Sequence, residues 1–240
     1  MSDVRITRNI KRLPRFSRRE YVSEMKSAYG MTESQVKYDL EKRLDRGEII
    51  RVGWDVYSMG TTGMTYDHEY SDKAMEVVKV MEENFYEADF QVFEIIQLNQ
   101  FVNHLLAHNT IMLYVEKDLM DYSFDLLRDK YPGRVLLKPS IDTYYRYLQD
   151  DEIIIQRLPT DTPKGIEKPW KARIEKILVD LFTDKLVSEI VPEGEKEAII
   201  EGAYANYLID ENTMLRYAKR KGAEKKVVSA MNEYGRMTKA

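Results

Sequence analysis

Two stretches near the start of the chain carry apolar residues at helical spacing. Tyr21, Val22, Met25, Ala28 and Tyr29 form the first set, and Val36, Leu40 and Leu44 the second. Each is preceded by a capping box, Ser17-Arg-Arg-Glu20 and Thr32-Glu-Ser-Gln35, in which the first side chain and the fourth satisfy each other's backbone amides. Gly30 and Gly47 follow, where glycine readily takes the left-handed turn that ends a helix. The pattern predicts two short helices joined by a tight turn around Gly30-Met31, a helix-turn-helix. Ile49 to Tyr57 is β-branched and aromatic around Gly53-Trp54-Asp55, which predicts a hairpin in the place of a wing. Residues 3–12, with Ile6 and Ile10, followed by Leu13, supply a further short helix. Residues 1–62 therefore read as a winged helix-turn-helix domain.

Residues 61–70 hold turn formers without a period and read as a linker. Strand and helix signals then alternate. Strands are expected over 90–96, 111–115, 134–138 and 153–158, with helices over 98–107, 119–130 and 141–149 between them. Alternation of this kind implies βαβ units and a small, parallel sheet. Pro159, Pro163, Gly165 and Pro169 mark a second connector, after which 171–182, 194–207, 211–221 and 224–235 read as helices. The expected fold class is α/β (α+β overall): a winged helix-turn-helix, then an α/β domain over 70–240 with a helical C-terminal cap.

Composition narrows the chemistry. With 43% hydrophobic and 32% charged residues, the 240-residue chain has the balance of a globular protein. It lacks a run of about 18 or more apolar residues, and its N-terminus has no apolar stretch after its charges, so neither a membrane span nor a secretory signal is expected. The absence of cysteine excludes disulfides and thiolate chemistry and fits a cytoplasmic setting. The net charge of −4 conceals an asymmetry. Residues 1–60 carry 13 Lys/Arg against 9 Asp/Glu (+4), and the rest 24 against 32 (−8). From residue 5 to residue 19 there are seven basic residues and no acid. A basic head on an acidic body points to a polyanion, here double-stranded DNA. The second helix would enter the major groove. Its outward residues Ser34, Gln35, Lys37, Tyr38 and Lys42 are types that read bases or bind phosphate. Arg12, Arg15 and Arg18 on the basic arm, with Arg51 and Trp54 on the hairpin, complete the candidate DNA-binding set. Asp39 and Glu41 sit uneasily among them.

Signals for catalysis are weak, and neither catalytic residue nor cofactor nor metal is expected. His104 and His108 stand at i, i+4 within the expected helix 98–107, the spacing of two metal ligands, but lack the accompanying Glu. Asp89, Glu94, Glu116 and Lys117 invite comparison with metal-dependent nucleases. Glu116 and Lys117 are adjacent, however, and alternation on a strand would point them to opposite faces. A DNA-targeted nuclease and a winged-helix protein-interaction module remain alternatives to a regulator.

Two later segments carry a resemblance: Arg173-Ile-Glu-Lys-Ile-Leu-Val-Asp-Leu181, and Leu215-Arg-Tyr-Ala-Lys-Arg-Lys221. With the order of parts, they make the chain similar to the AbiEi family, antitoxins of type IV toxin–antitoxin (abortive-infection) systems. The resemblance implies a winged helix that binds inverted repeats at its own promoter and represses the operon. It also implies a C-terminal domain that counters a nucleotidyltransferase-like toxin without a stable complex. Within the first segment, Ile174, Ile177, Leu178 and Leu181 are expected inside, and the charges Glu175, Lys176 and Asp180 outside.

Overall fold

A computed structural model describes residues 16–45, 49–53, 55–59, 65–102 and 104–234. The expected helix over 3–12, the stop at Gly47 and residues 61–64 of the expected linker lie outside the described residues. Contacts divide the chain into two compact units, one of the residues up to Thr65 with the short stretch Asn206–Asn212 and the last two residues, and a larger one of Tyr66–Ala205 and Thr213–Thr238.

The first unit runs β1 (Phe16–Ser17), α1 (Arg18–Tyr29), α2 (Glu33–Asp45), β2 (Ile49–Gly53) and β3 (Val56–Met59). The strands form one antiparallel sheet in the order β1-β3-β2, with Phe16 opposite Tyr57 and Ile49 opposite Met59. Both capping boxes form. Ser17 N donates to Glu20 Oε2 at 2.7 Å while Glu20 N donates to Ser17 Oγ at 3.2 Å. Thr32 N donates to Gln35 Oε1 at 2.8 Å. Gly30 ends α1 at φ +64°, a conformation costly for a residue with a Cβ. Phe16, Tyr21, Met25, Val36, Leu40, Ile49 and Tyr57 make the core, so each helix contributes its apolar stripe and the sheet its inner face.

The second unit opens with α3 (Asp72–Asn84), capped by Ser71, whose Oγ accepts Ala74 N at 3.1 Å. There follow β4 (Phe90–Glu94), a 3-10 turn (Ile95–Gln100), β5 (Thr110–Val115), α4 (Met120–Lys130), β6 (Val135–Leu137), α5 (Ile141–Tyr147) and β7 (Glu152–Arg157). The sheet order is β4-β5-β7-β6. β5, β7 and β6 are parallel and β4 is antiparallel to β5, so the sheet is mixed where the sequence predicts a parallel one.

The reason lies between β4 and β5. The expected helix over 98–107 does not form. The Asn99 side chain accepts Leu106 N at 2.8 Å and donates to Leu106 O at 3.3 Å, replacing helical backbone bonds with a local loop. Leu98 and Phe101 are buried, but Leu105 is 71% exposed. Without a crossover helix to carry the chain back along the sheet, β5 returns antiparallel. The outer edge of β4 is then covered by the Trp170 segment. Val92 N donates to Trp170 O at 2.8 Å, and the Tyr70 hydroxyl donates to Val92 O at 2.9 Å.

One sheet face packs Val77, Val78 and Met81 of α3, with Met120 and Leu127 of α4, against Ile111, Leu113, Val115, Ile153 and Ile155. The alternate residues Met112, Tyr114 and Ile154 are buried on the other face. There the helical remainder begins: α6 (Ile174–Thr183), α7 (Lys185–Ile190), α8 (Glu193–Asn206), α9 (Glu211–Arg220) and α10 (Glu224–Tyr234). Among the described residues no helix is long and apolar enough to cross a membrane.

Helix α6 departs from the expected amphipathic pattern. Ile174 through Phe182 are all buried, Glu175, Lys176 and Asp180 included. The charges survive burial because they are paired: Lys176 Nζ lies 2.6 Å from Asp180 Oδ2, Lys221 Nζ 2.7 Å from Asp180 Oδ1, and Arg173 Nε 2.9 Å from Glu175 Oε2.

Candidate nucleic-acid interface

Helix α2 has two faces of different chemistry. Val36 and Leu40 are buried, and Arg43 is buried with them. Ser34, Gln35, Lys37, Tyr38, Glu41 and Lys42 are all exposed, Tyr38 to 66%. At 100° per residue these six fall on one continuous arc, which is what a recognition helix needs. Lys42 Nζ stands 5.9 Å from the centre of the Tyr38 ring, placing cation and aromatic side by side.

Of the two acids that the sequence set among the readers, Asp39 is turned away. Its Oδ2 accepts the hydroxyl of buried Tyr21 at 2.5 Å and Arg43 Nε at 2.9 Å, so its charge is spent within the unit. Glu41 stays on the outer face, 4.0 Å from Lys37 Nζ, and partly offsets that cation. Gln35 also serves the local structure, since its Oε1 accepts both Thr32 N and Thr32 Oγ1, at 2.8 and 3.0 Å. The capping box therefore fixes the side chain at the first turn of α2, where exposed amides can meet a phosphate.

Arg18 is exposed in the first turn of α1, and Arg51 lies on β2, in register with Tyr57 of β3. Arg12, Arg15 and Trp54 lie outside the described residues. The structure thus brings together Ser34, Gln35, Lys37, Tyr38 and Lys42 on one helix face.

The residues weighed for metal chemistry are dispersed. Residues 104–108 are not helical, so His104 and His108 do not share a helix face. His104 Nδ1 lies 2.8 Å from Glu195 Oε1, and His108 Nδ1 lies 3.0 Å from Asp150 Oδ1. The register sets Phe90 opposite Val115 and Glu94 opposite Ile111, so Glu94 is at one end of β4 while Asp89 and Glu116 are at the other. Asp89 is held by Lys164 Nζ at 2.6 Å, and Lys117 starts a 3-10 turn beyond the strand. Among the described residues no three His, Asp or Glu stand close enough to hold a metal ion.

Glu94 acts instead as a structural anchor. Ser71 Oγ and Asn109 Nδ2 donate to its Oε1 at 2.6 and 2.8 Å, and Ser71 N to its Oε2 at 2.9 Å. Burial alone would raise this carboxyl, but the surrounding donors outweigh it and hold it below the usual range. Glu94 thereby ties the start of α3 to the sheet.

The model of a family of unknown function, DUF6577, matches residues 35–236. The chain belongs to this family. The DUF6577 match begins within α2 and takes in the β2–β3 hairpin and nearly all of the second unit. No curated protein matches the chain.

Sequence reasoning missed α3, although Ala74, Val77, Val78 and Met81 have helical spacing and Ser71 is a capping residue. It also missed the burial of Lys176 and Asp180, whose signal was the i, i+4 opposite-charge pair inside an otherwise apolar helix.

Proposed function

We propose that this DUF6577 member is a DNA-binding regulator whose first unit is a winged helix. The observation that carries the reading is the element order strand, helix, helix, hairpin, with the sheet ordered β1-β3-β2 and a polar, cation-bearing face on the second helix. In this reading α2 enters the major groove, with Lys37 and Lys42 as guanine or phosphate contacts and Tyr38 packing beside Lys42. Arg18 and the basic arm, including Arg12 and Arg15, neutralise backbone phosphates, and Arg51 and Trp54 follow the adjacent groove from the hairpin. The resemblance to AbiEi antitoxins supports a narrower version. There the cytoplasmic protein represses its own operon through inverted repeats, and its second unit counters a nucleotidyltransferase-like toxin. No catalytic step is assigned to it.

The test is binding of the full chain to double-stranded DNA from upstream of its own gene, against scrambled competitor at two salt concentrations. Competitor-resistant binding that weakens steeply with salt and is lost in Lys37→Ala/Lys42→Ala supports the reading. Binding equal on both DNAs, or unchanged in the double variant, overturns it and leaves the helix face to a protein partner.

A further inference from the structure

The second unit contains a cleft of about 810 Å³ at the carboxyl ends of its parallel strands. Tyr114 of β5, Gln156 and Arg157 of β7, and Lys138 just beyond β6 supply its sheet side. Open α/β sheets bind their ligands at this edge, because the loops that follow the strands diverge there. The size lies within the range of small-molecule sites.

The charge of the cleft is one-sided. Lys138, Arg157, Lys185, Lys221 and Lys226 line it, against only Asp184 and Glu189. Asp184 is already committed: Oδ1 accepts the amides of Leu186 and Val187 at 3.0 and 3.2 Å, and Oδ2 accepts the Tyr114 hydroxyl at 3.2 Å. Lys221 is likewise committed, to Asp180. Lys226 donates to the Phe182 carbonyl at 2.9 Å, a neutral acceptor that leaves its charge uncompensated. Lys138, Arg157 and Lys185 are exposed and make no ion pair among the described residues. In a unit whose sequence is acidic overall, such a concentration of unneutralised cations in a concave surface is a focused field for an anion.

Two further observations mark the place as built. Lys138 has φ +44°, the left-handed region that a side-chain-bearing residue occupies only at a cost, yet its amide still donates to Ile155 O at 3.0 Å. Strain of this kind persists where the surroundings enforce it, and it is concentrated at functional sites. Beneath the floor, Lys176 Nζ sits 3.5 Å from the centre of the Tyr114 ring, and the Tyr217 hydroxyl donates to Asp180 Oδ1 at 3.1 Å. The cation holds the Tyr114 ring, and the Tyr114 hydroxyl with the amides of Leu186 and Val187 holds the Asp184 carboxylate, before any ligand arrives. Apolar wall is supplied by Pro139, Ile141, Phe182 and Leu186, and hydroxyls by Ser140 and Ser188.

We propose that this cleft binds a phosphate-bearing small molecule of nucleotide type. Its phosphates meet Lys138, Arg157 and Lys185, and its ring lies against the Phe182–Leu186 wall. The arginine can chelate phosphate oxygens in a bidentate fork, while the lysines act as point charges. The proposal is independent of the DNA-binding reading, since the residues belong to the second unit and none lies on α2.

The test uses the full chain and three probes: ATP, ribose 5-phosphate and inorganic phosphate. Binding is followed by calorimetry and by thermal stabilisation. ATP is expected to bind saturably, ribose 5-phosphate more weakly, and phosphate to compete with both. Arg157→Gln/Lys185→Gln should weaken ATP binding by about tenfold or more while the unliganded melting temperature stays unchanged, as both side chains are exposed. Failure of all three probes to bind overturns the proposal. So does binding that is equally tight in the double variant. If no probe binds and the double variant instead loses affinity for duplex DNA, the cleft is a nucleic-acid contact and the proposal falls. The Lys37→Ala/Lys42→Ala result is read separately, so failure of one reading does not mimic failure of the other.

Discussion

The ammonium of Lys176 lies 2.6 Å from Asp180 Oδ2, and both side chains are all but excluded from solvent, at 1% and 2% exposure. The carboxylate also receives Lys221 and the Tyr217 hydroxyl on its other oxygen. Burial would raise the Asp180 carboxyl, but the two ammonium groups outweigh burial and hold it below its ordinary value. Its contribution to stability is therefore present above the unfolded carboxylate range and is lost as pH falls through the depressed folded value. Asp180→Asn should cost about 3–5 kcal/mol in chemical denaturation at neutral pH, because it leaves Lys176 buried without a counter-ion. Lys176→Met/Asp180→Leu should recover most of that loss. A double variant as unstable as Asp180→Asn would mean that the pair is not what the helix needs.

Asp39 and Glu41 of α2 should separate cleanly. Asp39→Asn removes the charged acceptor of Tyr21 and Arg43 and should lower stability by about 1–3 kcal/mol. Glu41 is exposed and compensates Lys37 across 4.0 Å, so Glu41→Gln should leave stability within about 0.5 kcal/mol. The same change should tighten DNA binding and steepen its salt dependence. Equilibrium unfolding and a binding titration on the same two variants check both halves. Equal effects of the two substitutions on both readouts would refute the inward orientation of Asp39.

Much of the fold is legible wherever one period rules a segment. Val36 and Leu40, or the runs of β4, β5 and β7, declare their state because backbone geometry and burial favour the same residues. The segment after β4 misleads because Leu98, Phe101, Val102 and Leu105 imitate a helical stripe, while Asn99 offers its backbone a competing set of hydrogen bonds. Helix α6 misleads for the opposite reason: a buried ion pair looks like a solvated face until the packing around it is known. The polar face of α2 is readable from the sequence, but the inward turn of Asp39 depends on Tyr21, eighteen residues away. The cleft is invisible there, since Lys138, Arg157, Lys185 and Lys226 share no local pattern: the parallel β6 and β7 bring the first two to one sheet edge, and α7 and α10 bring the other two to it.

Glu94 joins the α3 cap to the sheet through Ser71 and Asn109, and a neutral isostere cannot reproduce that. A glutamine offers one acceptor oxygen where the donors Ser71 N, Ser71 Oγ and Asn109 Nδ2 need two, and it turns its own amide protons toward them. Glu94→Gln should therefore cost about 1–3 kcal/mol, with the loss concentrated at the start of α3. Hydrogen exchange should show earlier opening of the first turn of α3, at the Ala74 amide. Global destabilisation with unchanged local protection would argue against Glu94 as the tie.

Glu152 is the mirror case, a carboxyl with nothing to hold its charge. It is buried at the start of β7, and neither oxygen meets a hydrogen-bond partner among the described residues. Burial pushes its carboxyl up from 4.5 to about 7. Nearby, the Tyr144 hydroxyl is paired with Thr110 at 2.8 Å rather than with this carboxyl. Well below pH 4.5 the group is neutral in both folded and unfolded chains and carries no ionisation cost. As pH rises, the unfolded chain ionises while the folded one keeps its proton, so stability falls until the folded group also ionises near pH 7. Glu152→Gln removes the titration. It should be about 2–3 kcal/mol more stable than the natural protein at about pH 8 and nearly equal to it at about pH 4. Denaturation midpoints measured across that interval decide the matter. Curves that run parallel from acid to alkaline pH would mean that Glu152 ionises as freely folded as unfolded, and that its burial carries no electrostatic cost.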